Sequence, residues 1–194
     1  VLDESMASEL VGFDFHAGLL GCALRPPSLL LNELVDVEQT CCSLLACPGV
    51  SDAQNLGVII RLAAAFGIDA ILADPGTADP FSRRTLRVST GAAFTLPIRQ
   101  CDDLAVDIET LKSRFGFTVA GTVLDKTATP LQDVLPPNRV VLMLGNETSG
   151  LDPRLIDLCD QLWTIPVSSL VDSINVSAAA AIFLQHLSQH RVRV

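Results

Sequence analysis

The side chains best suited to chemistry lie in the last third of the chain. A short apolar run, Val140 to Leu144, leads straight into Gly145-Asn-Glu-Thr-Ser-Gly150. About twenty residues later a second apolar run ends in Ile165-Pro166-Val167. It passes into the polar stretch Ser168 to Ser177, and an alanine-rich segment follows. Two strands that each empty into a polar, small-residue loop suggest one pocket, because ligands of open α/β sheets sit at the carboxyl ends of strands. Its lining would be backbone groups, the Glu147 carboxylate, the Ser173 hydroxyl and the Asn175 amide. Glycines at 145 and 150 let a backbone approach a ligand closely.

A third cluster lies upstream, in Asn55-Leu-Gly-Val-Ile-Ile-Arg61. Arg61 is the only charged residue between Asp52 and Asp69, and an unpaired cation on an apolar helix needs an anion, a phosphate or solvent. Asn55 and Arg61 are spaced to share a face near the helix start. Gln54 or Asn55 is expected to cap this helix and Gly67 to end it.

These groups must be held by a scaffold. The chain has 194 residues, of which 49% are hydrophobic and 18% charged, a balance for a large buried interior and against disorder. Apolar runs are short and broken, so no membrane span is expected, and the acidic N-terminus does not read as a signal peptide. Six cysteines, Cys22, Cys41, Cys42, Cys47, Cys101 and Cys159, form no metal-type spacing. They read as reduced, mostly buried thiols of a cytoplasmic protein. No metal site is expected.

The net charge of −9 disfavours nucleic-acid binding by bulk electrostatics. Residues 81–100, however, hold Arg83, Arg84, Arg87 and Arg99 and no acid. Arginine suits bidentate phosphate contact.

From residue 40 strands and helices alternate. Strands are expected at 41–47, 69–74, 93–96, 117–124, 139–144 and 161–165, and helices at 55–66, 80–89, 104–114, 152–159 and 175–188. This pattern implies an α/β fold, a mostly parallel sheet with helices on both faces. Residues 1–25 read as an acidic helix and a strand near Gly18–Leu24, and residues 28–38 as a linker helix. There is no G-x-G-x-x-G and no G-x-x-x-x-G-K-[ST] fingerprint, which lowers the standing of a nicotinamide oxidoreductase or other small-molecule enzyme.

Taken in order, the segments resemble the SpoU (TrmH-like) family of RNA ribose 2′-O-methyltransferases, in the SPOUT superfamily. Asn55, Gly57, Arg61, Ala63, Phe66 and Gly67 match the family's first motif. Gly145, Asn146, Glu147 and Gly150 match its second. Ile165, Pro166, Ser173, Asn175, Val176 and Ser177 match its third. Arg87 to Pro97 looks like the connection between them. Departures are Thr148 and Ser169, where glycine is frequent, and Ile174 in place of leucine.

The resemblance implies a C-terminal deep trefoil knot and S-adenosylmethionine as cofactor. It also implies a homodimer through the knotted domain, with the active site completed by the partner, and methyl transfer to a ribose 2′-hydroxyl of tRNA or rRNA. By the same carry-over, Thr122, Leu144, Gly145, Asn146, Gly150, Ile165, Pro166, Ile174, Asn175 and Ser177 would hold the cofactor. Arg61, Asn55, Glu147, Ser173 and Asn175 would be catalytic, and Arg83, Arg84 and Arg87 would grip RNA. Residues 1–27 resemble the end of an L30-like substrate-binding domain, 28–38 a linker, and 39–194 the methyltransferase domain. The competing expectation is a non-catalytic RNA-binding relative of the same fold.

Overall fold

The computed structural model describes residues 3–12, 21 and 23–190. Its centre is a seven-stranded sheet. The strands are β1 (Cys42–Ala46), β2 (Ala70–Ala73), β3 (Ile98–Gln100), β4 (Thr118–Thr122), β5 (Thr129–Pro130), β6 (Arg139–Met143) and β7 (Gln161–Thr164). Their order across the sheet is β3-β2-β1-β6-β4-β7-β5. Every pair is parallel, with Cys42 opposite Arg139, Leu44 opposite Ala70 and Thr118 opposite Val140.

Strands buried on both faces read as continuous apolar runs, and β1 and β2 are buried along their whole length. Alternate residues point to opposite sides. Leu45, Ile71, Val140 and Leu142 join one core with α3 (Ala53–Ala65) and α7 (Val176–Gln189). Leu44, Leu72, Val141 and Met143 join the other with α5 (Leu104–Phe115). The expected two-faced α/β sheet is therefore what forms.

Shorter helices complete the fold: α1 (Glu4–Val11), α2 (Leu31–Leu34), α4 (Arg83–Val88) and α6 (Pro153–Ile156). Both of the last two are shorter than their sequence patterns suggest, α4 chiefly at its start and α6 at its end. Ser82 caps α4 by accepting from the Thr85 N–H, and Asp152 caps α6 ahead of Pro153. The expected linker helix over 28–38 contracts to α2. The N-terminal strand near Gly18–Leu24 falls mostly on residues 18–20 and 22, outside the described residues.

The strand expected at 93–96 does not form. Gly91, in the left-handed region at φ +86°, leads into a single 3₁₀ turn over Ala92–Phe94. Pro97 has no N–H to give a ladder, and strand pairing begins at Ile98. The short edge strand β5 goes beyond the elements expected from sequence; two residues ending in proline carry no readable periodicity.

Arg99 leaves the basic island. Its Nε donates to Asp107 Oδ2 at 2.6 Å, its Nη2 to Asp107 Oδ1 at 3.0 Å, and its Nη1 to the Leu29 carbonyl at 2.6 Å. Both side chains are nearly buried. The hydrogen bonds to Asp107 hold the guanidinium pKa above its ordinary value. Removing one partner strands a buried charge, so Arg99→Leu is expected to cost about 3–5 kcal/mol, read as a lowered urea midpoint with unchanged m.

Candidate functional site

The carboxyl ends of three neighbouring strands, β6, β4 and β7, open on one side of the sheet. Leu144–Gly145, Thr122–Val123 and Ile165–Pro166 leave the sheet there side by side, as the registers Gly121 with Met143 and Thr122 with Trp163 require. Thr122 Oγ1 donates to the Met143 carbonyl at 2.9 Å and ties two of these exits together.

The turn after β6 is closed on itself. Asn146 N donates to Gly150 O at 2.9 Å and Gly150 N to Asn146 O at 3.0 Å. The Asn146 side-chain oxygen accepts from the N–H groups of Thr148 and Ser149, at 2.8 and 3.0 Å. A Cβ on Gly145 would sit 2.4 Å from the Gly150 carbonyl carbon and 2.5 Å from Leu151 N, so glycine is required for the turn to close.

Three of the expected catalytic side chains form one hydrogen-bonded chain. Asn55 Nδ2 donates to Glu147 Oε1 at 3.0 Å, and Asn175 Nδ2 donates to Asn55 Oδ1 at 3.1 Å. The Ser51 and Asp52 N–H groups lie 3.4 Å from the Glu147 oxygens. Asn175 meanwhile caps α7, accepting from Ser177 N at 2.8 Å and Ser177 Oγ at 2.5 Å. The loops before α3, after β6 and before α7 are thus pinned at one point.

Arg61 is not part of this chain. Six residues carry it about 9 Å along α3 from Asn55 and about 120° around it, so the shared face expected from sequence does not exist. It is exposed, and among the described residues it makes no ion pair or side-chain hydrogen bond. Seven residues separate it from Gln54, close to two full turns, so those two share a face. Arg84 Nη2 donates to Gln54 Oε1 at 2.7 Å. Arg61 therefore lies on the side of α3 that carries α4 with its exposed Arg83, Arg84 and Arg87. Gly57 permits this approach, since a Cβ there would meet the Val88 side chain at 2.7 Å. The helix cap is Asp52, which accepts from Gln54 N, rather than Gln54 or Asn55. Gly67, at φ +72°, ends the helix as expected.

Ser173 is exposed and has no hydrogen-bond partner among the described residues. The segment around it is loosely tied. From Val167 to Ile174 its internal bonds are Val171 N to Ser168 O at 3.3 Å and Leu170 N to Ser168 Oγ at 3.1 Å. Most of its peptide groups remain open to a ligand beside the glycine turn. An adenosyl cofactor held by backbone groups fits this lining.

Sequence reasoning missed a supporting layer. Asn146 Nδ2 donates to the Gly49 carbonyl at 2.6 Å, and Gly49 N donates to Asp74 Oδ1 at 2.9 Å. Thr77 Oγ1 lies 2.6 Å from both Asp74 Oδ1 and the Cys47 carbonyl. Asp74 directly follows β2, and that position at a strand's carboxyl end was the available signal. Burial, with the Asp74 charge adding to it, pushes the Cys47 thiol up to about 12, so it stays protonated and inert. Among the described residues no group of three or more His, Cys, Asp or Glu is placed to hold a metal ion. None of their helices is long and apolar enough to cross a membrane.

Comparison with known proteins gives a consistent picture. The SpoU rRNA Methylase family matches residues 43–185. The chain is 34% identical over 188 residues to the 23S rRNA (guanosine-2′-O-)-methyltransferase RlmB of Acinetobacter baylyi, covering 95% of this chain and 75% of that one. It is 37% identical over 144 residues to the 23S rRNA (guanosine(2553)-2′-O)-methyltransferase RlmP of Bacillus subtilis, covering 74% of this chain and 57% of that one. Among solved structures, the AdoMet-bound rRNA methyltransferase from Sinorhizobium meliloti matches with a TM-score of 0.72 at 32% identity, over 78% of this chain and 57% of that one.

Proposed function

Because the chain belongs to the SpoU methylase family, we propose that it transfers a methyl group from S-adenosylmethionine to a ribose 2′-hydroxyl of ribosomal or transfer RNA. The observation that carries this reading is the Asn55–Glu147–Asn175 chain, which joins the three motif segments beside the glycine turn. Relatives named as rRNA 2′-O-methyltransferases and a related structure with AdoMet bound support the substrate class and the cofactor.

S-adenosylmethionine supplies an activated methyl on a sulfonium. The protein's task is mainly positioning, because an in-line displacement needs the attacking oxygen, the methyl carbon and the sulfur collinear. In this proposal Thr122, Leu144, Gly145, Asn146, Gly150, Ile165, Pro166, Ile174, Asn175 and Ser177 line the cofactor. Glu147 fixes Asn55 and, through it, Asn175, and Ser173 presents a hydroxyl to the substrate.

Arg61 then acts as an electrostatic clamp. A guanidinium with a pKa above about 12 is a poor base. Next to the target hydroxyl and its phosphate it lowers the hydroxyl's pKa and orients the nucleotide, and the proton leaves through water or the phosphate. Arg61 lies outside the Asn55–Glu147–Asn175 chain of its own protomer, which favours a homodimer in which each Arg61 serves the partner's cleft. The exposed Ile182 on α7 and the exposed Leu170 and Val171 in the loop that precedes α7 supply apolar surface for that contact. The deep trefoil knot and the L30-like nature of residues 1–27 belong to the same proposal.

The test is transfer of labelled methyl to ribosomal and transfer RNA, with the product digested to nucleosides. Label in 2′-O-methylribose is expected. RNA and cofactor binding without transfer would make the chain a non-catalytic RNA-binding relative instead. Replacing Arg83, Arg84 and Arg87 together with glutamine should lower the slope of log K against log salt by up to about 2–3, since each phosphate no longer neutralised takes close to one from it. An unchanged slope removes these arginines from the RNA interface.

A further inference from the structure

A second cleft, away from the glycine turn, lies between residues 26–29 and the edge of β3. It measures about 220 Å³, and its lining includes Pro26, Pro27, Phe81, Phe94, Thr95 and Gln100. Pockets that enclose whole small ligands measure about 300–1,000 Å³, so this smaller cleft has room for one ring system.

Its walls are held in place. Arg25 pairs with Asp79, and Ser28 Oγ donates to Gln100 O at 2.9 Å while accepting from Gln100 N at 3.1 Å. Arg99 grips the Leu29 carbonyl from the far side. The Arg25 guanidinium also lies 5.5 Å from the centre of the Phe81 ring.

Two features of the cleft have no structural use in the chain. Phe94 is 66% exposed, on the turn that displaced the expected strand. That turn follows Thr90, at φ +52° the one non-glycine residue with positive φ among the described residues. Left-handed backbone is costly for a β-branched side chain, and such strain persists where the surroundings hold it and a site needs it. The Gln100 side-chain amide is half-buried and without a hydrogen-bond partner among the described residues, leaving a donor and an acceptor unused. Close to it in sequence, α4 with Arg83 and Arg87 begins two residues after Phe81, and residues 81–100 contain no acid.

We propose that this cleft takes one unstacked nucleobase of the RNA. The ring stacks on Phe94 against the Phe81–proline wall, and its edge is read by the Gln100 amide. The inference rests on the RNA-methylating reading above and adds a subsite to it. Unpaired RNA bases are recognised by stacking on aromatic side chains and hydrogen bonding at their edges, and in this proposal the flanking phosphates run toward α4. An unpaired, splayed base enters such a cleft, whereas a base stacked within a duplex does not.

Fluorescence anisotropy with labelled single-stranded RNA 12-mers of A, C, G or U, and with an abasic backbone of the same length, tests this. Phe94→Ala is expected to weaken binding of the base-bearing oligomers about tenfold, the effect of losing one stacked base, and to leave abasic binding unchanged. Phe94→Trp should keep or improve affinity. Gln100→Ala should narrow the affinity differences among the four bases. S-adenosylmethionine binding should be unaffected by all three. Equal affinities for native protein and Phe94→Ala overturn the proposal, as does an equal loss for abasic RNA. Unaltered base preference in Gln100→Ala removes the edge-reading role. A chain that methylates no RNA instead overturns the parent reading, so the two failures are distinguishable.

Discussion

Gly145→Ala is expected to raise the dissociation constant for S-adenosylmethionine by more than about tenfold while the protein remains folded. The added methyl would meet the Gly150 carbonyl carbon at 2.4 Å, Leu151 N at 2.5 Å and Gly150 O at 2.8 Å. All three are backbone atoms, so no rotamer change relieves the clash. The Asn146–Gly150 pair must open, and overpacking of this kind costs about 1–3 kcal/mol or more. The strain falls on the turn that Asn146 anchors to Gly49, next to the proposed cofactor, and only its two ends, Leu144 and Leu151, reach into the sheet cores. Gly150→Ala, in the same turn, isolates the backbone cost from the clash. Nothing lies within 4 Å of its added Cβ, and the only cost is a left-handed φ of +71°, about 1–2 kcal/mol. Calorimetric titration with the cofactor, alongside thermal unfolding of each variant, separates the two. Equal cofactor affinity in native protein and Gly145→Ala would place the cofactor away from this turn.

The contrast between the two glycines shows what a sequence exposes and what it hides. The strands were legible because parallel strands covered on both faces are nearly continuous apolar runs, broken only by Ser43 in β1 and Arg139 at the start of β6. The motif residues Asn55, Glu147 and Asn175 were legible by type and order, and the fold brings them into contact. The orientation of Arg61 was not. Spacing of six reads as nearly two turns, but the residual 120° decides which surface the guanidinium serves. The placement of β3 failed because Leu96 and its neighbours look like strand, while the left-handed Thr90–Gly91 pair and Pro97 decide the backbone locally. Arg99 read as part of a basic patch because its acid, Asp107, lies eight residues away on α5, beyond the window in which charge is judged. The Asp74–Gly49 support is a contact between two loops, and only the sheet order makes those loops neighbours.

Where Arg61 acts is the question with the largest kinetic consequence. Arg61→Ala is expected to lower kcat by about 10²–10³, the usual effect of removing one group that stabilises developing charge. Cofactor affinity should hold, since Arg61 touches none of the residues around the glycine turn. Arg61→Lys keeps the charge but loses the planar fork, and should remain impaired by at least about tenfold. Near-normal turnover in the lysine variant would reduce the role to a point charge. The exposed position of Arg61, outside its own protomer's Asn55–Glu147–Asn175 chain, adds a sharper test. If each cleft borrows the arginine of its partner, Arg61→Ala and Glu147→Ala protomers are each inactive as homodimers. In a mixed dimer one cleft then unites an intact Glu147 with an intact Arg61, and activity returns. If arginine and carboxylate serve the same protomer's cleft, every mixed dimer still has two damaged sites and stays inactive. Co-expression of differently tagged protomers, purification of the doubly tagged species and a methyl-transfer assay on it distinguish the two architectures.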